Sequence, residues 1–253
     1  MPGTIQSVER AAAILRMFRS GSRRLGVAEV ANALGLPKAT VHGLLRTLRQ
    51  VGFVEQDATT GKYMLGAGLL RLGAGYPDAN ELRSVALSGA DALAARSRES
   101  VRVGALHGDR VLVVHHVFRP DHTEQVLDIG STLPLHASAL GKVLVGYDPL
   151  AAQAISRTAL QRYTERTITS ARALQAALKR LRTRGWGADV EERVAGEASI
   201  AAPIRGPSGL TVGAIGISGP VDRLCAGGEP RPDLVTDVRQ AAHAIAGGVT
   251  GKR

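Results

Sequence analysis

The chain has 253 residues, 44% apolar and 21% charged, with a mean hydropathy near zero. A core can be buried, so disordered and collagen-like chains are excluded, and the length suits one or two domains. A formal charge of +10 points to a polyanionic partner, and the single cysteine, Cys225, excludes an intrachain disulfide and a cysteine-based zinc finger.

Charge is concentrated early. Through residue 65 there are nine bases against four acids, a net +5 in a quarter of the chain. Three short amphipathic helices follow one another there. Val8, Ala11, Ala12, Leu15 and Phe18 recur at helical spacing, with Ser7 placed to cap the first helix. Val27, Val30, Ala31 and Leu34 form a second stripe, stopped by Gly35. Pro37 suits the first turn of a third helix, whose stripe is Val41, Leu44, Leu45 and Leu48. Two short helices joined by a tight glycine-containing turn are a helix-turn-helix signature, although periodicity alone also fits an ordinary three-helix bundle.

Two features favour nucleic-acid binding over a plain bundle. At 100° per residue, the face opposite the third stripe holds Ala39, Gly43 and Arg46, flanked by Thr40, His42 and Thr47. These are small residues for close approach, with hydroxyl, imidazole and guanidinium groups for phosphates and base edges. Gly43 costs roughly 1 kcal/mol relative to alanine inside a helix, and close approach to DNA would explain that cost. Next, Phe53–Gln56 and Lys62–Leu65 flank the polar Asp57–Gly61, a β-hairpin that turns the helix-turn-helix into a winged helix. With Arg10, Lys38 and Lys62 as basic neighbours, this face is expected to contact double-stranded operator DNA.

Beyond Leu65, four glycines and Pro77 interrupt the helical pattern up to Asn80, and an α+β region follows. We expect a DNA-binding domain over residues 1–65, a linker over 66–80 with a glycine-weakened helix at 66–75, and a second domain over 81–253. In that domain the patterns predict a helix over 81–98 and strands over 101–106 and 111–117 around Gly108-Asp109. A strand over 124–129 and helices over 138–147 and 171–184 come next. Strands over 186–191, 198–205 and 211–218 and a helix over 232–246 complete it.

Several segments carry a family resemblance. Ile5–Ala11, Leu36–His42, Gly52–Val54, Leu135–Lys142, Asp189–Glu192, Ile200–Ile204 and Ile215–Pro220 together resemble IclR-type transcriptional regulators, in order along nearly the whole chain. Many members carry a large basic residue where this chain has Gly43. Val41–Leu48 and His115–Asp121 are similar to the actinomycete branch that controls glycerol operons. The resemblance implies a GAF-like effector domain, self-association as a homodimer or dimer of dimers, and a small-molecule effector, with glycerol and glycerol 3-phosphate as candidates. It also implies an effector site of Leu133, Ala139, Leu140, Asp189, Glu197, Ser199, Gly216 and Ser218. Glu197 stands where some relatives have leucine, and is expected to make the pocket more polar and less tolerant of anions.

Other chemistries find little support. No serine lies in a nucleophile-elbow context, and Gly130 and Gly141-Lys142 do not make a phosphate loop. His115 and His116 are adjacent on a strand, face opposite sides and cannot chelate one ion together. No cofactor or metal is expected. An aromatic or small organic acid remains an alternative effector, and an enzyme with an appended DNA-binding head an alternative of another class. Aromatic residues, at 3%, argue against a single-strand stacking platform. No apolar run approaches the roughly 18 residues of a membrane span and no signal-peptide core is present, so a cytoplasmic location without a membrane partner is expected.

Overall fold

The computed structural model describes residues 4–18, 24–69, 72, 77–121, 123 and 125–248. The chain divides into two units, Met1–Pro77 and Asp78–Arg253.

In the first unit, α1 (Gln6–Met17), α2 (Val27–Leu34) and α3 (Lys38–Gln50) bury Ile14, Val30, Ala31, Val41, Leu45 and Leu48 against one another. The cap of α1 is Ile5, without a side-chain hydrogen bond. Ser7 therefore lies one residue inside the helix rather than at its cap. The α2–α3 turn is a Schellman motif. Gly35 takes φ +62°, its N–H reaches Asn32 O and the Leu36 N–H donates to Ala31 O at 3.0 Å. Pro37 occupies the cap position before α3, and its carbonyl accepts the Val41 N–H at 3.1 Å.

The hairpin follows as expected. β1 (Val54–Gln56) pairs antiparallel with β2 (Tyr63–Leu65), Gln56 opposite Tyr63. Asp57 closes the tip by accepting the Thr59 and Thr60 N–H groups at 2.9 and 3.0 Å. Leu25 exchanges two backbone hydrogen bonds with Tyr63, adding a third short segment to the wing.

The second unit begins with α4 (Pro77–Ser97), which starts four residues earlier than expected because Pro77 can open a helix. Most of the expected helix at 66–75 lies outside the described residues. Six antiparallel strands form one sheet: β3 (Ser100–His107), β4 (Arg110–Val117), β5 (Thr132–Pro134), β6 (Gly187–Val190), β7 (Glu197–Arg205) and β8 (Thr211–Pro220). Their spatial order is β5-β4-β3-β8-β7-β6. Strand alternation sends Ile200, Ala202 and Ile204 to one face, under α4 and the last helix, α9 (Pro232–Ala246). Ala201 and Ala214 face the other way, toward α5 (Ala139–Tyr147), α6 (Pro149–Ser156) and α7 (Ala171–Arg184). A short helix, α8 (Val221–Leu224), and a small hairpin, β9 (Cys225–Ala226) with β10 (Glu229–Pro230), fill the link to α9.

The strand expected over 124–129 is absent from its described residues; the next strand after β4 is β5. Side chains hold that segment instead of a ladder. Gln125 accepts the Arg119 N–H at 2.8 Å, and the Asp128 N–H donates to His116 Nδ1 at 3.0 Å.

Candidate functional site

The first unit presents one face of α3 outward. Val41, Leu45 and Leu48 are buried, so the 3.6-residue period leaves Lys38, Ala39, His42, Arg46 and Thr47 exposed, with Thr40 and Gly43 partly so. Among the described residues neither Lys38 nor Arg46 has an ion-pair partner. A Cβ built on Gly43 would meet nothing within 4 Å, so no internal packing requires glycine there. The Thr47 hydroxyl donates back to Gly43 O at 3.1 Å, which partly engages it. Arg49, at the end of α3, donates to Gln56 Oε1 at 2.9 Å, and Gln56 donates to Gly61 O, fixing the helix to the wing. Lys62 is an ion-pair partner of Glu29 at 3.1 Å. Arg10 lies on α1, partly exposed.

In the second unit the sheet and the start of α5 enclose a cavity of about 30 Å³. Ser138 shapes this helix start: its hydroxyl donates to Pro134 O at 2.6 Å and accepts the Gly141 N–H at 3.1 Å. A Cβ on Gly141 would fall within 2.6 Å of Leu135 and Pro134 backbone atoms, so only glycine lets α5 lie this close. The helix thereby presents Ala139 and Leu140 to the cavity, where early-turn N–H groups lack intrahelical acceptors. Leu133, Ser199, Gly216 and Ser218 complete the expected residues that line it. Arg102 from β3 and Arg193 from the β6–β7 loop line it as well, and the sequence reading missed both. A charged residue at an inward position between Val101 and Val103 was the available signal for Arg102.

The other two expected effector residues lie outside this lining. Asp189 is buried, with its carboxylate turned to its own loop. It accepts the Glu192 N–H at 2.7 Å, the Arg193 N–H at 3.4 Å and the Ser199 hydroxyl at 3.4 Å. Burial pushes its pKa up, opposed mainly by the Lys142 ammonium. Lys142 forms a buried ion pair with Glu192, whose pKa burial also raises. Glu197 is half exposed, pairs with Arg193 at 3.2 Å and borders a separate outer cleft. The expectation that Glu197 makes the pocket hostile to anions is therefore corrected. At the end of β7 its carboxylate reaches outward, and the charged side chains on the cavity wall are Arg102 and Arg193.

His115 and His116 point to opposite faces of β4. His116 is buried, and burial, reinforced by Arg102, lowers its pKa to about 4. Nδ1 accepts the Asp128 N–H, so the neutral ring carries its proton on Nε2 and donates to Ser100 Oγ at 2.8 Å. Neither ring nitrogen of His115 has a hydrogen-bond partner. Among the described residues no cluster of three potential metal ligands occurs, and no helix is long and apolar enough to cross a membrane.

Comparison with known proteins accounts for both units. The IclR helix-turn-helix domain matches residues 7–58, and the bacterial transcriptional regulator IclR C-terminal domain matches residues 74–247. The chain belongs to the IclR family. It is 53% identical to the glycerol operon regulatory protein of Streptomyces coelicolor, over 97% of this chain and 96% of that protein. Identity to the protein of the same name from Streptomyces griseus is 49%, with the same coverage. Among solved structures, a transcriptional regulator from Rhodococcus sp. RHA1 superposes with a TM-score of 0.76 at 33% identity, covering 97% of this chain and 98% of that one. This IclR-family chain is thus a DNA-binding transcriptional regulator with an α+β architecture: a winged helix-turn-helix followed by an effector-type domain.

Proposed function

We propose that this regulator is a repressor of genes for the catabolism of glycerol or a closely related polyol, released from its operator by a small-molecule effector. In this reading α3 enters the major groove, with Ala39 and Gly43 allowing close approach. Arg46, Thr40 and His42 address base edges or phosphates, while Lys38, Thr47, Arg10 and Lys62 add phosphate contacts. The effector occupies the cavity at the start of α5, among Leu133, Ala139, Leu140, Ser199, Gly216 and Ser218. Asp189 and Glu197 act on it from the adjoining loop and cleft.

The observation that carries the DNA half is the outward face of α3, with two unpaired cations around a glycine that nothing inside the unit requires. Support for the polyol half comes from near-full-length similarity to glycerol operon regulators in two Streptomyces species. A symmetric dimer on two half-sites would place one α3 in each of two successive major grooves. Fluorescence anisotropy with a duplex from upstream of the regulated operon tests this reading. Binding should be specific, steeply salt-dependent and reversed by glycerol or glycerol 3-phosphate. Equal affinity for a scrambled duplex would overturn the operator half, and indifference to both ligands the polyol half.

A further inference from the structure

We propose that Arg102 is a specificity-determining residue that binds an oxyanion of the effector, so that the ligand is a small hydroxylated acid or phosphate monoester rather than a neutral polyol. The inference rests on the reading that the cavity at α5 is the effector site, and it names what that site selects.

Arg102 stands at a junction. Its side chain is about four-fifths buried, and Nε and Nη2 both lie 2.6 Å from Asp128 Oδ2. Nη1 donates to the Ser218 hydroxyl. The guanidinium lines the 30 Å³ inner cavity and also an outer cleft of about 420 Å³, and Ser218 is the other residue common to both. The Arg102–Ser218 contact therefore forms the wall between them. An inner space of that size suits ordered water, not an organic molecule, so a ligand must enlarge it. Displacing Ser218 from Arg102 joins the cavity to the cleft.

Charge says what would displace it. Among the described residues lining the cavity, the charged groups are Arg102 and Arg193; its lining has no carboxylate. A guanidinium in a partly desolvated wall matches carboxylate or phosphate oxygens through parallel N–H donors, which a neutral hydroxyl reproduces poorly. Asp128 holds Arg102 in place, and Asp128 is itself held through its N–H by His116, which Ser100 orients. Beyond the oxyanion, Leu133, Ala139 and Leu140 make a small apolar wall, while the Ser199 and Ser218 hydroxyls are available to a hydroxylated body.

Three compounds with one three-carbon body separate the possibilities: glycerol 3-phosphate, glycerate and glycerol. Isothermal titration of the full-length protein should show at least one of the two anions binding at least roughly tenfold more tightly than glycerol. Which of the two anions binds better identifies phosphate or carboxylate as the group read. Arg102→Gln should reduce binding of the preferred anion at least roughly tenfold, and Arg102→Lys should restore part of it. Asp128→Asn, which leaves Arg102 charged without its counter-ion, should bind that anion at least as tightly as wild type. An Arg102→Gln/Asp128→Asn double variant, with no unpaired charge, replaces the single variant if Arg102→Gln does not fold. Ser199→Met, which fills the cavity, separates the two layers of the argument. If Ser199→Met abolishes anion binding while Arg102→Gln leaves it intact, the effector site stands and the role of Arg102 falls. If Ser199→Met binds anions like wild type, the effector-site reading itself fails. Glycerol binding as tightly as either anion, or neither anion binding, overturns the proposal.

Discussion

Lys62 Nζ and Glu29 Oε1 are 3.1 Å apart, so a wing cation expected on the phosphate backbone is matched to a carboxylate at the start of α2. The Gly26 N–H, and after it Lys62, hold Glu29 below the usual carboxylate range. A phosphate must compete with Glu29 for this ammonium. Glu29→Gln should therefore tighten operator binding and steepen the log K against log salt slope by roughly one, as one more counterion is released. A salt titration of both proteins on one duplex checks it; equal slopes would mean that Lys62 does not reach phosphate.

Gly43 permits a test in which stability and binding move in opposite directions. Alanine meets no atom within 4 Å there and favours the helix, so Gly43→Ala should stabilise the free protein by about 0.5–1 kcal/mol. On DNA the added methyl should weaken binding, because it occupies the space of closest approach. Urea unfolding and operator anisotropy together decide the point. Tighter or unchanged binding by the more stable variant would remove Gly43 from the interface.

Arg46 is exposed on α3 and, among the described residues, has no ion-pair partner. Arg46→Ala should cost roughly 1–3 kcal/mol of operator affinity if the guanidinium reads a base, with specificity relaxed at one position. A loss that is uniform across duplex sequences would assign it to phosphate instead. Unchanged affinity on every sequence would place it outside the interface.

The tip of the wing and the α2–α3 turn were legible because local chemistry determines them: Asp57 and Gly61 close the hairpin and Gly35 ends α2. The sheet strands were legible from apolar runs. By contrast, 125–128 reads as a strand but is held by Gln125, His116 and Arg102, partners up to 26 residues distant that no local pattern reveals. α6 was missed although Asp148 caps it and Pro149 opens it, since it follows α5 with no intervening loop to mark a break. The same limit applies to the cavity. Family segments pointed to residues on β5, α5, β7 and β8, whereas Arg102 and Arg193 join them only through tertiary packing.

His116 gives the second domain a pH-dependent term with a definite sign. Its folded pKa, about 4, lies below the unfolded value near 6.5. The unfolded chain therefore binds the extra proton first, and the contribution of the neutral ring is lost as pH falls from about 6.5 toward about 4. Thermal melts across that range should show His116→Gln losing less stability on acidification than wild type. Parallel pH profiles would contradict the neutral, buried ring.

Asp189 should act through Arg193. Its carboxylate holds the Glu192 and Arg193 N–H groups, and Arg193 borders the cavity. Asp189→Ala leaves those amides without their acceptor, and each unsatisfied buried group costs about 1–3 kcal/mol, equivalent to one or two decades in effector affinity if the loop shifts. Asp189→Asn retains an acceptor oxygen and should restore much of the response. Effector titration of the operator complex checks both variants; equal deficits would mean that the charge itself contacts the ligand.

The central claim is that α3 holds the operator and a ligand at α5 loosens that hold. Linkage requires the effect to be reciprocal. The decisive measurement is effector affinity determined twice by titration, with the protein free and with the protein bound to operator. The account predicts weaker effector binding on DNA, by the same factor that saturating effector weakens operator binding. Identical effector affinity in both states would contradict it.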